Sequence, residues 1–184
     1  MELWDNLDIE RNPTGQLIER GGGYPSGALH LVIHACVFNS SGELLIQQRQ
    51  PFKEGWPNMW DVSVGGSAVT GENSQQAIMR ELEEEIGLRV SLVNVRPDFT
   101  INFERGFDDW YLILQDVDLA TLSLQYEEVK AVKWATKDEI LSMIDENSFI
   151  PYYKSFIEML FDVRTSRGMH SSNQGKYKKV GENK

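Results

Sequence analysis

The chain has 184 residues, of which 41% are hydrophobic and 25% are charged, a composition typical of one globular domain with a sizeable core. The formal net charge of −10 argues against broad binding of a nucleic-acid backbone, because such binding depends on clustered lysine and arginine. The chain has one cysteine, which excludes an internal disulfide. Because the chain has no long apolar run and its N-terminus is acidic, we expect a cytoplasmic protein without membrane contact.

Turn-forming residues dominate the start of the chain and predict a small N-terminal β-hairpin within residues 1–27. Residues 29–38 are apolar on both faces, which predicts a buried strand, and an Asn-Ser-Ser-Gly turn leads to a second strand at residues 43–49. A loop rich in tryptophan and proline precedes a short strand at residues 61–64. These segments predict the first half of an α/β domain with a mixed sheet.

The second half of the chain begins with a predicted helix over residues 74–86. Asn73 and Gln76 match a capping box before it, and Gly87 suits the position that follows a helix. Further strands are predicted at residues 88–95, 98–103, 110–116 and 129–134, and helices at residues 137–145 and 151–164. We therefore expect a single domain over residues 1–164, followed by a basic, flexible tail over residues 165–184.

Residues 66–88 combine a fixed spacing with an acidic helix face. The order is glycine, five residues, Glu72, seven residues and then Arg-Glu-Leu-x-Glu-Glu-x-Gly-Leu. At about 100° per residue, Glu81, Glu84 and Glu85 lie within one arc of about 100° beside an apolar stripe. An acidic helix run alone is more often a solvated surface. Clustered glutamates repel one another, however, and their oxygens are ligands that Mg²⁺ or Mn²⁺ prefers, so this face predicts a cation site.

The spacing contains every fixed position of the Nudix box, and the chain resembles the Nudix hydrolase superfamily. The resemblance runs from Leu3 to about Trp134 and extends to the branch that includes isopentenyl-diphosphate isomerases and their hydrolase-like relatives. It rests on the segments WDNLDIERNPTG, HLVIHACVFNSSGELLIQQR, WPNMWDVSVGG and EEVKAVKW in addition to the box. It implies an α/β/α sandwich with a mixed sheet, and Mg²⁺- or Mn²⁺-dependent cleavage of a diphosphate linked to another group.

The resemblance also implies the metal ligands. Glu84 and Glu85 are expected to be the principal ligands, and Glu81 a further ligand or the general base. Gly66 is expected to offer its backbone carbonyl to the metal. Glu72 ligates the metal directly or through water, or it pairs instead with the arginine of the box.

Two further catalytic roles follow from the same resemblance. Arg80 lies within about 40° of Glu84 around the helix and is expected to orient the box glutamates. In some Nudix enzymes the general base lies outside the box. Glu128, and after it Glu127, is then the leading candidate because both precede the strand predicted at residues 129–134.

Isomerase activity is the alternative suggested by the same branch. Isomerases carry a catalytic cysteine in a Cys-Gly-His run where this chain has Gly-Gly-Ser at residues 65–67, and glutamates where Phe107 and Asp109 fall. Their box is degenerate, whereas the box here is intact. His30 matches an isomerase metal-ligand position, but a lone strand histidine is more often structural. These differences favour hydrolysis over double-bond migration.

Several features bear on the substrate, for which we expect a small-molecule diphosphate. Nucleoside diphosphates or their derivatives are the first expectation, and isoprenyl or other non-nucleotide diphosphates the second. A ligand-sensing module without catalysis is a third alternative, although such proteins usually lose box glutamates. Lys53 and Arg105 are candidate phosphate contacts, and we expect a monomer or homodimer. Loop-associated aromatics that are able to line a pocket or pack in the core are Trp56, Trp60, Phe103, Phe107 and Trp110.

Overall fold

The computed structural model describes residues 2–166 of the chain. The strands are β1 (Leu3–Leu7), β2 (Pro13–Glu19), β3 (His30–Phe38), β4 (Leu44–Arg49), β5 (Trp60–Asp61), β6 (Val64–Ser67), β7 (Phe99–Phe103), β8 (Gly106–Leu114) and β9 (Val129–Ala135). The α-helices are α1 (Ser74–Ile86), α2 (Lys137–Asp145) and α3 (Lys154–Val163). Within residues 2–166 no helix has the length and apolarity needed to cross a membrane. The predicted tail lies outside the described residues, except for Thr165 and Ser166.

Seven strands form one mixed sheet. Its main order is β5-β4-β3-β8-β7, with β6 paired to β3 and β9 paired to β4. Strands β3 and β8 run parallel from the His30 and Gly106 pair to the Phe38 and Leu114 pair. The other pairings are antiparallel. The predicted mixed sheet is therefore confirmed.

Alternation along β3 divides the apolar core between the two faces of the sheet, because successive strand residues point to opposite sides. Ile33, Ala35 and Val37 are fully buried in a cluster that contains the apolar stripe of α1. Cys36 and Phe38 are fully buried in a second cluster with residues of α2 and α3. The sheet thus lies between one helix and a helix pair, which confirms the α/β/α sandwich.

The N-terminal hairpin of β1 and β2 forms a separate two-stranded sheet that is attached to the main sheet. The amide of Leu7 donates to the carbonyl of Leu29 over 2.8 Å. Arg11 in the turn forms an ion pair of 2.6 Å with Asp109, which is fully buried in β8. The predicted hairpin is confirmed, and its second strand begins at Pro13, within the turn-forming residues at the start of the chain.

The strand predicted at residues 88–95 is wrong, because the structure has coil there. Gly87 ends α1 in the left-handed region, and Asn94 also has a positive φ of 62°. Leu88 and Leu92 are buried in the cluster that contains the α1 stripe. The amide of Leu92 donates to the sulfur of Met79 on α1. The apolar residues of this segment are therefore buried by packing on the helix rather than by sheet pairing.

Candidate active site

Helix α1 is fixed at both ends by capping interactions that its sequence encodes. The side chain of Asn73 accepts a hydrogen bond from the amide of Gln76, and the side chain of Gln76 accepts one from the amide of Asn73, both over 2.9 Å. At the other end Gly87 adopts φ 71°, and its amide donates to the carbonyl of Glu83. Such caps each stabilise a helix by about 1 kcal/mol. The bounds of α1 agree with the predicted ones.

Two box glutamates are largely removed from water. The side chain of Gln47 on β4 donates to Glu85 over 3.0 Å, and Glu85 is only 6% exposed. Burial, together with the nearby negative charge of Glu81, raises the pKa of Glu85 to about 8. Burial also raises the pKa of Glu81, although the adjacent Arg80 opposes the change. Both environments disfavour negative charge, and a bound cation would reverse this effect.

Arg80 joins three of the box glutamates through its guanidinium group. It donates two hydrogen bonds to Glu72, of 2.7 and 2.9 Å, one to Glu81 of 2.9 Å and one to Glu84 of 3.1 Å. The pKa of Arg80 is raised above its ordinary value, mainly because of the hydrogen bonds to Glu72. These contacts are those expected of a residue that orients the box carboxylates.

The same contacts separate the carboxylates from one another. Within residues 2–166 no group of three histidine, cysteine, aspartate or glutamate side chains is arranged to hold a metal ion. Glu81 and Glu84 direct oxygens to Arg80, and Glu85 directs one to Gln47. A cation shared by these glutamates therefore requires at least one of them to rotate away from its present partner.

Two glycines in β6 bring the sheet close to neighbouring side chains. A Cβ atom at Gly66 would lie 2.5 Å from the carboxyl carbon of Glu81, so only glycine leaves the space beside this carboxylate open. A Cβ atom at Gly65 would lie 2.7 Å from the ring of His34. That ring stacks on Trp110 and forms a contact of 2.7 Å with Asp108, so its position is fixed by two neighbours.

A cleft of about 300 Å³ brings the acidic face of α1 together with basic side chains from other elements. The residues that line the cleft are Glu2, Trp4, Arg20, Arg49, Lys53, Gly65, Gly66, Ser67, Glu81, Glu84, Glu85, Gln125 and Glu128. Lys53 forms an ion pair of 2.5 Å with Glu128, and Arg20 forms one of 2.7 Å with Glu2. Acidic and basic side chains are thus adjacent within one concave surface.

Sequence reasoning identified some of these residues and missed others. Glu81, Glu84, Glu85, Gly66 and Glu128 all line this cleft. Glu72 instead lines a separate cavity of about 420 Å³ at the N-terminal end of α1. The missed residues are Glu2, Trp4 and Arg20 from the hairpin and Arg49 from β4. No local motif signals them, because their proximity to the box arises from tertiary contacts.

The remaining candidates from the sequence have structural partners. The guanidinium of Arg105 lies 4.7 Å from the ring centre of Tyr24, and Arg105 is not among the residues that line the cleft. His30 is buried, contacts the carbonyl of Arg105 and stacks on Trp4, and burial lowers its pKa. Phe107 and Trp110 are the two of the five loop-associated aromatics that are buried in the core. Trp60 is half-buried, whereas Trp56 and Phe103 are exposed.

Comparison with known proteins identifies the family. The family model for the NUDIX domain matches residues 28–156, which is more than half of the chain. The chain belongs to the Nudix family. An uncharacterised Nudix hydrolase of Listeria monocytogenes is 47% identical over 170 residues, which cover 92% of this chain and 99% of the relative. This similarity and the family match establish the Nudix protein as a hydrolase acting on pyrophosphate bonds.

Two other similarities concern the branch and the fold. An isopentenyl-diphosphate Delta-isomerase of Shigella flexneri is 28% identical to this Nudix hydrolase over 147 residues, covering 76% of this chain and 79% of the isomerase. A crystal structure of the protein DR0079 from Deinococcus radiodurans has a TM-score of 0.66 and 24% identity, covering 86% of this chain and 97% of that one. The structural similarity shows the Nudix fold, and the sequence similarity agrees with the isomerase-like branch.

Proposed function

We propose that this Nudix hydrolase uses Mg²⁺ or Mn²⁺ to cleave the diphosphate linkage of a nucleoside diphosphate or a derivative of one. The observation that carries the proposal is a single cleft lined by five carboxylates and three cationic side chains. The carboxylates are Glu81, Glu84, Glu85, Glu128 and Glu2, the last of which pairs with Arg20, and the cations are Arg20, Arg49 and Lys53. The first set suits a divalent cation and a proton acceptor, and the second suits phosphate oxygens.

The donor set fits a hard divalent cation. Glu84 and Glu85, with the backbone carbonyl of Gly66, would hold the ion, and Glu81 would be a further ligand or the general base. Glu72 would ligate the ion directly or through water, or remain the partner of Arg80. The absence of a Cβ at Gly66 leaves room beside the Glu81 carboxylate. A divalent ion held there would acidify a water molecule and offset the charge of the phosphates.

The protein side chains account for the remaining parts of the reaction. The water oxygen attacks phosphorus, its proton passes to Glu81 or Glu128, and the bond between phosphorus and the leaving oxygen breaks. Lys53 would orient Glu128 through their ion pair and contact a phosphate oxygen, which is supported by its place in the lining of the cleft. Arg80 positions Glu81 and Glu84 through its hydrogen bonds. Since Glu84 has a side chain that is 53% exposed, it can turn toward a cation with little repacking.

The lining of the cleft favours a polar substrate over an isoprenyl chain. Trp4 is the one large apolar side chain among the described residues that line the cleft, and it is only 7% exposed. A long hydrocarbon chain would therefore gain little from binding there. Isomerisation is disfavoured separately, because Gly65 has no proton-transferring side chain and His34 occupies the space where one would lie.

The test is a turnover screen of the purified protein. Nucleoside diphosphates, their derivatives and isoprenyl diphosphates are incubated with Mg²⁺, with Mn²⁺ or with excess chelator, and products are identified by chromatography. We expect turnover of a nucleoside compound only with the ion, and faster turnover at mildly alkaline pH because water and base then deprotonate more readily. Full turnover in chelator, or a preference for isoprenyl diphosphates, would contradict the proposal. Binding without turnover would identify a ligand-sensing module instead.

A further inference from the structure

Two large aromatic side chains remain exposed and in contact with each other on the protein surface. Phe52 is 57% exposed and Tyr126 is 71% exposed. Their ring centres are 5.8 Å apart, and the ring planes are inclined by 42°. Single exposed aromatics are ordinary, but two that meet form an exposed apolar surface with flat faces. We refer to Phe52 and Tyr126 as the aromatic pair.

Each member of the aromatic pair is the chain neighbour of a residue that lines the cleft containing the box glutamates. Phe52 directly precedes Lys53, and Tyr126 directly follows Gln125, and both of these neighbours line the cleft. Adjacent residues have Cα atoms about 3.8 Å apart, so the backbone of each aromatic is one residue away from the cleft lining. The pair is therefore close to the box glutamates and the cleft cations.

Backbone contacts hold the two loops of the pair in place relative to α1. The amide of Gln125 donates to the backbone carbonyl of Glu85 over 2.9 Å, which attaches the Tyr126 loop to the box helix. The amide of Gln50 donates to the carbonyl of Glu128 over 3.1 Å, and Lys53 pairs with the carboxylate of the same residue. The pair is thus positioned by the elements that carry the candidate ligands and base.

We propose that the aromatic pair stacks the base of a nucleotide substrate whose diphosphate group occupies the cleft. This inference rests on the proposed function and adds the contact that recognises the nucleoside. A flat ring stacks well on aromatic faces, whereas a polar cleft offers no such surface. Stacking accepts every base because each has a π-face. The pair therefore selects nucleotides as a class and discriminates weakly among bases.

The test measures binding rather than turnover, with analogues in which a methylene group replaces the bridging oxygen. Calorimetry with Mg²⁺ compares α,β-methylene diphosphates of adenosine, guanosine, cytidine and uridine with methylenediphosphonate, which has no base. Phe52→Ala and Tyr126→Ala should each weaken binding of the nucleoside analogues by about five- to a hundredfold, the range of base stacking. Binding of methylenediphosphonate should not change. Tyr126→Phe keeps the ring and should bind like the wild type.

Tyr153→Ala is the matched control, because Tyr153 is an 85% exposed aromatic whose chain neighbours, unlike those of the aromatic pair, do not line the cleft. Unchanged binding of the nucleoside analogues by the double alanine variant would overturn the inference and leave the proposed function intact. Equal weakening of the binding of nucleoside analogues and of methylenediphosphonate would also overturn the inference, because the substitutions would then affect binding of the diphosphate group rather than of the base. If the wild type binds methylenediphosphonate but no nucleoside analogue, the proposed nucleotide substrate itself fails. A change in oligomeric state without a change in binding would assign the pair to a contact between copies.

Discussion

Replacing Glu85 with glutamine should make the metal-free protein more stable at pH 8. The unfolded chain loses the Glu85 proton near the ordinary value of 4.5, whereas burial in the folded protein raises the pKa to about 8. Between pH 4.5 and pH 8, the folded state therefore holds a proton that the unfolded state has released. The contribution of Glu85 to stability is greatest below pH 4.5 and falls as the pH rises to 8.

The size of this effect follows from the same pair of values. A tenfold change in proton affinity corresponds to about 1.4 kcal/mol, so the contribution lost by pH 8 is at most about 5 kcal/mol. Glutamine is close in size, stays neutral and can still accept the hydrogen bond that Gln47 donates. Glu85→Gln should therefore exceed the wild type by less than about 1 kcal/mol near pH 5 and by up to about 5 kcal/mol at pH 8.

Urea denaturation in excess chelator, at intervals between pH 5 and pH 8, measures this difference. Glu83→Gln is the control, because Glu83 lies on the same helix but is exposed and pairs with Arg89. Mg²⁺ at about a hundred times its Kd should then stabilise the wild type by about 2.7 kcal/mol and Glu85→Gln by much less. Parallel pH profiles for the wild type and Glu85→Gln would refute the buried-carboxylate argument. An equal response to Mg²⁺ would refute the ligand role.

Three further outcomes can be checked directly. Glu84→Gln should lower kcat by at least about a hundredfold in steady-state assays while the fold is retained by circular dichroism, and Glu83→Gln should be near normal. Gly66→Ala should lower kcat by about tenfold or more, because its Cβ would contact the carboxyl group of Glu81. Near-normal turnover of this variant would show that the open space beside Glu81 is not needed. The protein should put no deuterium into dimethylallyl diphosphate from isopentenyl diphosphate in heavy water. Gly65→Cys should remain inactive in that exchange assay and lose thermal stability, since its Cβ would contact the ring of His34.

Much of α1 could be predicted because its signals are local. The capping box at Asn73 and Gln76 and the left-handed Gly87 fix both ends of the helix within a few residues of chain. The strand predicted at residues 88–95 failed for the opposite reason. Its apolar residues resemble a strand in isolation, but tertiary packing against α1 decides their conformation, as the buried Leu88 and Leu92 show.

The candidate site shows the same division between local and distant information. The box spacing identifies the carboxylates on α1, but the cations that face them are distant in sequence. Arg20 lies in the hairpin and Arg49 at the end of β4, and neither belongs to a motif. Likewise, the ion pair between Arg11 and Asp109 joins residues 98 positions apart. Such contacts depend on the assembled fold and leave no spacing pattern to detect.

The N-terminal hairpin and the box occupy separate parts of the chain. The hairpin segment contributes Glu2, Trp4 and Arg20 to the cleft, yet it carries none of the box residues. The family match begins at residue 28, after the end of β2 at Glu19. We therefore expect mutations in the hairpin to change the shape of the cleft while the glutamates on α1 keep their arrangement. We expect relatives that share the box but differ in the hairpin to act on different substrates by the same mechanism.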